Sequence, residues 1–518
     1  MLVALGAWAL SSPVGSSPDE DYHLASVWCG QGLRDGMCEP GEAFDERSIP
    51  TELRGAACFA HSPDMSASCQ QKRFYVESDA MVSTARGNFV GDYPPVFHFV
   101  QSLLTGPNAS VSVLAMRVAN AMLFVGLVTA LYLVLPVGLR RPLVIASLVT
   151  AVPLGMFLIP SINPSSWALL SATTLMLSVL GYITAEHRRR RIALGVLAAA
   201  ALAVGAGARA DASIYALVAI GAAVILSMRA GWPYVRRLVY PAVLAVAAGV
   251  AFLSAGQSSA ADGSTGTAPP FTLSWVVGIM ENVPDLWIGG LGKWGLGWLD
   301  TPMPAVVWVA CWGLYSAVLF VASSGTTLRR GIAVGLVGAA TLLIPTYIQF
   351  LSGAPVGSYV QPRYILPLLI ILAATTMVRL EGAAFRFTRG QRWILVAILA
   401  GTNAIALHTN IRRYVVGTDG MNINLDARVE WWWAGMPVGP MAVWVIGALA
   451  FTIGIVLVSA ELVLPAPAAT QEPVLARDVP EDSVGDTPHK SVRPDSVSPV
   501  DAQGLSQAGR GASTQAGA

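Results

Sequence analysis

Apolar runs of about 17–25 residues recur along the whole chain, each long enough to cross a hydrocarbon core about 30 Å thick. They lie at Leu2–Leu10 (a short one), Val111–Leu135, Leu143–Ile159, Ser165–Ala185, Ile192–Ala208, Ala212–Met228, Leu238–Ala255, Ala305–Ser323, Ile332–Leu351, Tyr364–Val378, Trp393–His408 and Met441–Leu464. In lipid there is no water to bond the backbone, so each run must satisfy its own N–H and C=O groups as a helix. The runs are continuously apolar rather than alternating, which excludes a β-barrel. The expected fold class is an all-α polytopic integral membrane protein with about twelve transmembrane helices.

Only 12% of residues are charged, and the net charge of +1 hides an asymmetry. Arg140 and Arg141, Arg188 to Arg191, Arg229 with Arg236 and Arg237, Arg329 and Arg330, and Arg379 to Arg392 fall in every second connection. Basic residues concentrate on the cytoplasmic side of spans, so these connections are expected inside, and the alternate ones, with the first long loop, outside. The arginines thus report topology, and nucleic-acid binding is a poor reading of them. Cys29, Cys38, Cys58 and Cys69 all fall in that first external loop, while Cys311 lies within a span. Four cysteines outside the membrane point to two disulfides in an oxidising compartment, with three possible connectivities. The neighbour pairing Cys29–Cys38 and Cys58–Cys69 is the favoured one. A zinc site is the rival, without a C-x-x-C spacing to support it. The first apolar segment has no basic residue before it, and Ala7 to Ser12 resembles a signal-peptidase site; a span clipped at its start is the preferred reading.

A membrane domain over 1–464 carries two large external regions. Residues 11–110 are too long for a simple connection and are expected to fold as a disulfide-stapled subdomain. Near its end Asp92-Tyr93-Pro94-Pro95-Val96-Phe97-His98 turns apolar, and Pro at a helix start predicts a short interfacial helix over Pro95–Leu104 with its apolar side on the outer leaflet. Residues 256–303 open with a Gly/Ser/Ala stretch and then carry Trp275, Trp287, Trp294 and Trp298. A third loop, Asn410 to Pro440, holds Trp431-Trp432-Trp433. Tryptophans of this kind anchor membrane–water boundaries, or line a sugar or lipid groove. Residues 465–518 are too poor in apolar groups to bury a core and are expected to be a disordered cytoplasmic tail.

Just outside the first apolar segment stands Asp19-Glu20-Asp21-Tyr22, with His23 behind it. Three consecutive carboxylates at a membrane boundary repel one another, a cost that a metal, a polar substrate or a proton-transfer role relieves; a solvated acidic turn is the plain alternative. Polar residues also concentrate at Tyr93 and His98, at Arg117, at Arg209-Ala210-Asp211, and at Gln361-Pro362-Arg363-Tyr364. All are expected at one membrane face, whereas ion-coupled transporters usually place ionisable groups at mid-depth. Arg117, Arg209 and Arg363 suit a lipid phosphate, since guanidinium binds it with paired hydrogen bonds; snorkelling to the headgroups is the alternative for each. Asp19 first, then Glu20 and Asp21, suits proton abstraction from an acceptor hydroxyl. Asp19 and Glu20 also suit a divalent metal, Mg or Mn. His23 and His98 are candidate supporting partners.

The acidic pair after the first span, Tyr93-Pro94-Pro95-Val96-Phe97, Arg117-Val118-Ala119-Asn120 and Arg363-Tyr364-Ile365-Leu366-Pro367 together resemble the multi-spanning C-type glycosyltransferases. More closely, Pro18-Asp19-Glu20-Asp21-Tyr22-His23, Asn163-Pro164-Ser165 and Gln361-Pro362-Arg363-Tyr364 are similar to an uncharacterised family of predicted actinobacterial membrane proteins within that superfamily. The resemblance covers roughly residues 1–460. It implies a polyprenyl-phosphate-linked sugar as donor, a cell-envelope glycan or protein as acceptor, an external active site in a bacterial plasma membrane, and Asp19 or Glu20 as acid/base. The chain departs from the pattern in its long cysteine-bearing first loop and its short first span. A flippase of lipid-linked saccharides and a catalytically silent envelope-assembly protein are the rival readings.

Overall fold

The computed structural model describes residues 1–70, 80–256, 272–353, 355–358, 360–381, 386–427, 430–433 and 435–463. All twelve apolar runs are helical, as α1 (Leu2–Leu10), α5 (Ala109–Val134), α6 (Val137–Thr150), α7 (Ser165–Thr184), α8 (Arg188–Ala206), α9 (Ala210–Ser227), α10 (Trp232–Ser254), α12 (Ala305–Ala322), α13 (Leu328–Ser352), α14 (Pro362–Met377), α15 (Arg389–Val416) and α16 (Pro440–Ser459). The extramembrane helices are α2 (Glu20–Trp28), α3 (Thr51–Gly55) and α4 (Pro95–Ser102), and a further helix α11 spans Leu273–Gly290.

The expected count of about twelve spans gives way to eight helices long and apolar enough to cross a membrane, or nine if a pair bent by 85° at the end of α6 is one span. Three runs fall short for separate reasons. α1 has only nine residues, α8 opens on four arginines, and α14 has sixteen residues with Pro367 inside. α7 and α14 are buried along nearly their whole length and form the centre of the bundle. There, hydroxyls of Thr173, Thr174, Ser178, Thr375 and Thr376 donate to the carbonyl four residues back, so these five are satisfied within their own helices.

α11 corrects the reading of 256–303 as a loop. Ile279, Val283, Leu286 and Gly290 are buried at helical spacing, while Glu281 and Asp285 interrupt the apolar run in sequence without breaking that face. The Gly/Ser/Ala stretch, 257–271, lies outside the described residues, as does the expected tail, 465–518. α15 likewise runs past His408 to Val416, because Arg413 in its last turn is neutralised within the fold. The fold is also not purely helical. Strands β1 (Glu39–Pro40), β2 (Arg47–Pro50) and β3 (Met81–Thr84) make an antiparallel sheet in the first extramembrane region, Arg47 pairing with Thr84 and Pro50 with Met81. Disulfides join Cys29 to Cys38 and Cys58 to Cys69.

The two ends of the bundle differ. At one, arginines hold helix termini: Arg237 donates to Ile183 O, Arg379 to Ser324 O, Arg141 to Glu461 O and Arg392 to Val456 O. At the other, the starts of α7, α9 and α14 meet the turn before α2. On α4, Val96, Phe99 and Val100, with Leu103 and Leu104 beyond it, form an exposed apolar stripe at helical spacing, while Phe97, His98 and Gln101 face inward.

The Cys58–Cys69 loop is fastened to the end of α15 and the residues after it: Thr418 bonds Pro63 O and Asp64, and Arg413 makes the largest set of bonds. Arg413, 1% exposed, donates to the carbonyls of Phe59, Ser62 and Met65 and to Asp300 at 3.0 Å. Breaking a buried ion pair costs about 3–5 kcal/mol. We therefore expect Arg413→Met, which keeps the apolar stem, to lower the melting temperature in detergent and speed proteolysis within 58–69; unchanged proteolysis would show that Arg413 is not the loop's tether.

Candidate functional site

The segment Ser11–Pro18 between α1 and α2 is buried throughout, although its composition reads as a surface turn. It lies inside because Arg117 collects its polar groups. The Arg117 guanidinium donates to the carbonyls of Ala9, Ser12 and Pro13, to Ser16 Oγ and to the Glu20 carboxylate at 3.1 Å. Glu20 in turn accepts from the Ser17 N–H at 2.7 Å. Glu20 and Arg117 are 0% and 2% exposed, and Trp433, itself donating to Leu10 O, covers the guanidinium. Trp433 is thus interior and no interfacial anchor.

The chain reverses at Asp19, whose φ of +56° lies in the left-handed region. Asp tolerates that conformation better than most residues, and such outliers gather at functional sites. The turn is pinned from both sides: Asn163 Nδ2 donates to Pro18 O at 2.7 Å, and the His23 N–H to Asp19 O at 3.0 Å. In consequence the three carboxylates diverge. Glu20 points inward to Arg117; Asp21 takes both forks of Arg86; Asp19 meets Arg363 Nη2 at 2.6 Å and Arg86 Nη2 at 3.3 Å. The repulsion expected from the sequence is relieved by arginines from three distant segments. Among the described residues no three His, Cys, Asp or Glu side chains gather to hold a metal ion.

Arg209 and Asp211, at the start of α9, form a two-pronged pair at 2.8 Å for each bond, with Tyr215 also donating to Asp211. The Tyr364 ring lies 4.3 Å from the Arg209 guanidinium carbon and 4.8 Å from that of Arg363, and Tyr93 flanks Arg209 at 6.0 Å. Asp19, Arg209, Arg363, Tyr93 and Tyr364 are therefore one cluster. Gln361 stands at the start of α14 without a side-chain capping bond, its Oε1 buried with no donor among the described residues. His23 Nδ1 lies 3.2 Å from His98 Nε2, and Tyr93 packs edge-on to His23. Burial pushes the His98 imidazole down to about 3 and, aided by His98 and the arginines, holds His23 well below its usual range. Burial also pushes the Tyr93 hydroxyl up to about 12 and raises that of Tyr22, which donates to Asp92.

Arg86 is the member that sequence reasoning missed. It follows β3 in no recognisable motif, and the available signal was weaker: a cation in an extramembrane region rich in Asp and Glu. A cavity of about 470 Å³ lies elsewhere, lined by Phe124, Met156, Leu169, Thr173, Leu366 and Ile370 among others. It does not reach Asp19, but Leu366 is one turn along α14 from Arg363.

Two measurements follow. Glu20→Gln leaves a buried guanidinium without its counter-charge, and we expect a loss of about 3–5 kcal/mol, seen as a lower melting temperature; an unaltered one would refute the lock. As pH falls below about 6.5, the unfolded chain binds protons at His23 and His98 that the folded chain refuses until near pH 3 for His98. Stability should fall between pH 7 and 5, and His98→Gln should flatten that slope. Equal slopes in both proteins would contradict the burial of neutral imidazoles.

No curated protein and no solved structure matches the chain. The model of the family described as "Predicted membrane protein (DUF2142)" matches residues 2–372, a stretch holding α1 to α13, the Asp19 turn, Arg86, Arg209 and Arg363. The chain belongs to the DUF2142 family of membrane proteins.

Proposed function

We propose that this protein is a multi-pass glycosyltransferase of the bacterial plasma membrane, moving a sugar from a polyprenyl-phosphate donor to a cell-envelope glycan or protein at the extracytoplasmic face. The observation that carries the reading is the Asp19–Arg363 pair: a 39% exposed carboxylate held 2.6 Å from a guanidinium that is 4% exposed. Asp19 takes the proton of the acceptor hydroxyl as that oxygen attacks the anomeric carbon; the carbon–oxygen bond to phosphate breaks, and the polyprenyl phosphate leaves with the electron pair. Arg363 stabilises the negative charge that grows on the leaving phosphate. Attack opposite the leaving group inverts the anomeric centre.

Arg209, stacked on Tyr364 and paired with Asp211, positions the wall of the site. Glu20 and Arg117 hold its floor and take no part in proton transfer, and Asp21 anchors Arg86. Orientation is supported by the arginine-rich connections at the far end of the bundle, which the positive-inside rule assigns to the cytoplasm together with the C-terminus. The exposed stripe of α4 fits an outer-leaflet resting place, and the apolar cavity below Arg363 fits a lipid-borne substrate. That cavity equally favours the second reading, a flippase for lipid-linked saccharides.

Asn in place of Asp19 keeps an oxygen acceptor for Arg363 and tolerates the left-handed turn, so normal protein yield is expected. Transfer should fall by about 10²–10⁴-fold in Asp19→Asn, measured as labelled sugar reaching the envelope acceptor in membranes. Undiminished transfer would remove Asp19 from the chemistry. Movement of sugar-lipid in proteoliposomes with no glycosidic bond formed would favour the flippase.

A further inference from the structure

We propose that Arg363 is an anion-exchange site: Asp19 is its resident anion in the free protein, and the phosphate of a phosphate-bearing ligand displaces it, freeing the Asp19 carboxylate. This rests on the reading of the site as phosphate-handling, though its test needs no sugar transfer.

The arginines at this end of the bundle are not equivalent. Arg117, Arg209 and Arg413 each pair with a carboxylate whose side chain is 0%, 16% and 5% exposed respectively, and Arg117 and Arg413 are further tied down by backbone carbonyls. Only Arg363, among these buried arginines, pairs with a carboxylate that faces solvent, Asp19 at 39%. Its fork is also unfilled. Nη2 donates to Asp19 Oδ2 and to Tyr364 Oη at 2.8 Å, while Nε and Nη1 are buried and find no acceptor among the described residues.

Buried N–H groups without acceptors are uncommon and unfavourable, and a guanidinium offers five donors in a fixed plane. Asp19 cannot fill them, because its second oxygen is turned to Arg86. A phosphate has enough oxygens to bridge Nη1 and Nη2 together, the two-pronged geometry that carboxylate and phosphate share. The cation is fixed and the anion is free to leave. Pro362, beside Arg363, is wedged against Gly289 of α11, where even a Cβ would come within 2.5 Å of it. The backbone of Asp19 is pinned but its side chain is 39% exposed, with a second cation, Arg86, 42% exposed, ready to keep its charge. Displacement would thus leave Asp19 ionised and outward-facing while the phosphate is seated.

The swap makes a prediction opposite in sign to simple loss of a ligand. A competing internal anion lowers apparent affinity by the fraction of sites it occupies, so weakening that competitor should tighten phosphate binding by about ten-fold. The test measures binding of inorganic phosphate, and separately of dodecyl phosphate, to the purified full chain in detergent, for wild type, Asp19→Asn, Asp19→Ala and Arg363→Gln. Gel filtration checks that each variant remains folded. Tighter binding in both Asp19 variants and weaker binding in Arg363→Gln support the exchange. Equal affinity for the two probes assigns the site to free phosphate, and a preference for dodecyl phosphate to a lipid headgroup. Unchanged or weaker binding in the Asp19 variants overturns it, as does binding of neither probe by any protein. Should Asp19→Asn bind phosphate more tightly yet still transfer sugar, the enzyme reading falls and the exchange stands.

Discussion

The interior guanidinium of Arg117 is the interaction on which the polar end of this molecule depends. A segment of serines and prolines has too many backbone groups to lie inside a membrane protein unaided, since each unpaired one is costly there. Arg117 gathers two of its carbonyls, with that of Ala9 at the end of α1, and the Glu20 carboxylate neutralises the charge that does the gathering. The helix that follows must then begin where Glu20 places it, with the acidic first turn suited to the positive end of its dipole. Asp19 is presented outward because its neighbour is committed inward. A structural pair and an exposed carboxylate one residue apart are thus two halves of one arrangement.

The same residue type does different physical work at the two ends of the bundle. At the arginine-rich end the guanidiniums bond carbonyls at helix termini, groups that would otherwise be left unsatisfied. At the Asp19 end they face carboxylates and tyrosine rings. Arg209 and Arg363 share the Tyr364 ring, whose electron-rich face lets two cations stand close together. His23 and His98, being buried and uncharged near neutral pH, add polar surface without adding to that positive charge.

Much of this was legible in the sequence. The apolar runs located twelve of the helices, the cysteine spacing favoured the pairing observed, and three of the charged motifs named there, at Asp19, Arg209 and Arg363, do meet. What failed was local reasoning about neighbours. Asp19, Glu20 and Asp21 read as one acidic patch, yet a left-handed turn and a helix start send them three ways. α11 was hidden because Glu281 and Asp285 break a linear apolar run while sparing its buried face. Arg86 and the Arg413–Asp300 pair depend on partners 65 to 113 residues away, and no single stretch of chain announces such partners. Length misled in the other direction: α1 and α14 are apolar but short, so fewer helices have the length and composition to cross a membrane than there are apolar helices among the described residues.

The grip of Arg413 on the Cys58–Cys69 loop has a consequence for how the molecule is assembled. The carbonyl of Phe59 waits for a donor 354 residues later in the chain, and Ser11 and Trp8 wait still longer for Asn410 and Asn403. Contacts so remote form only after most of the polypeptide has left the ribosome. The amino-terminal region is therefore made first and finished last, spending synthesis with its disulfides available to form but its docking surfaces unbuilt.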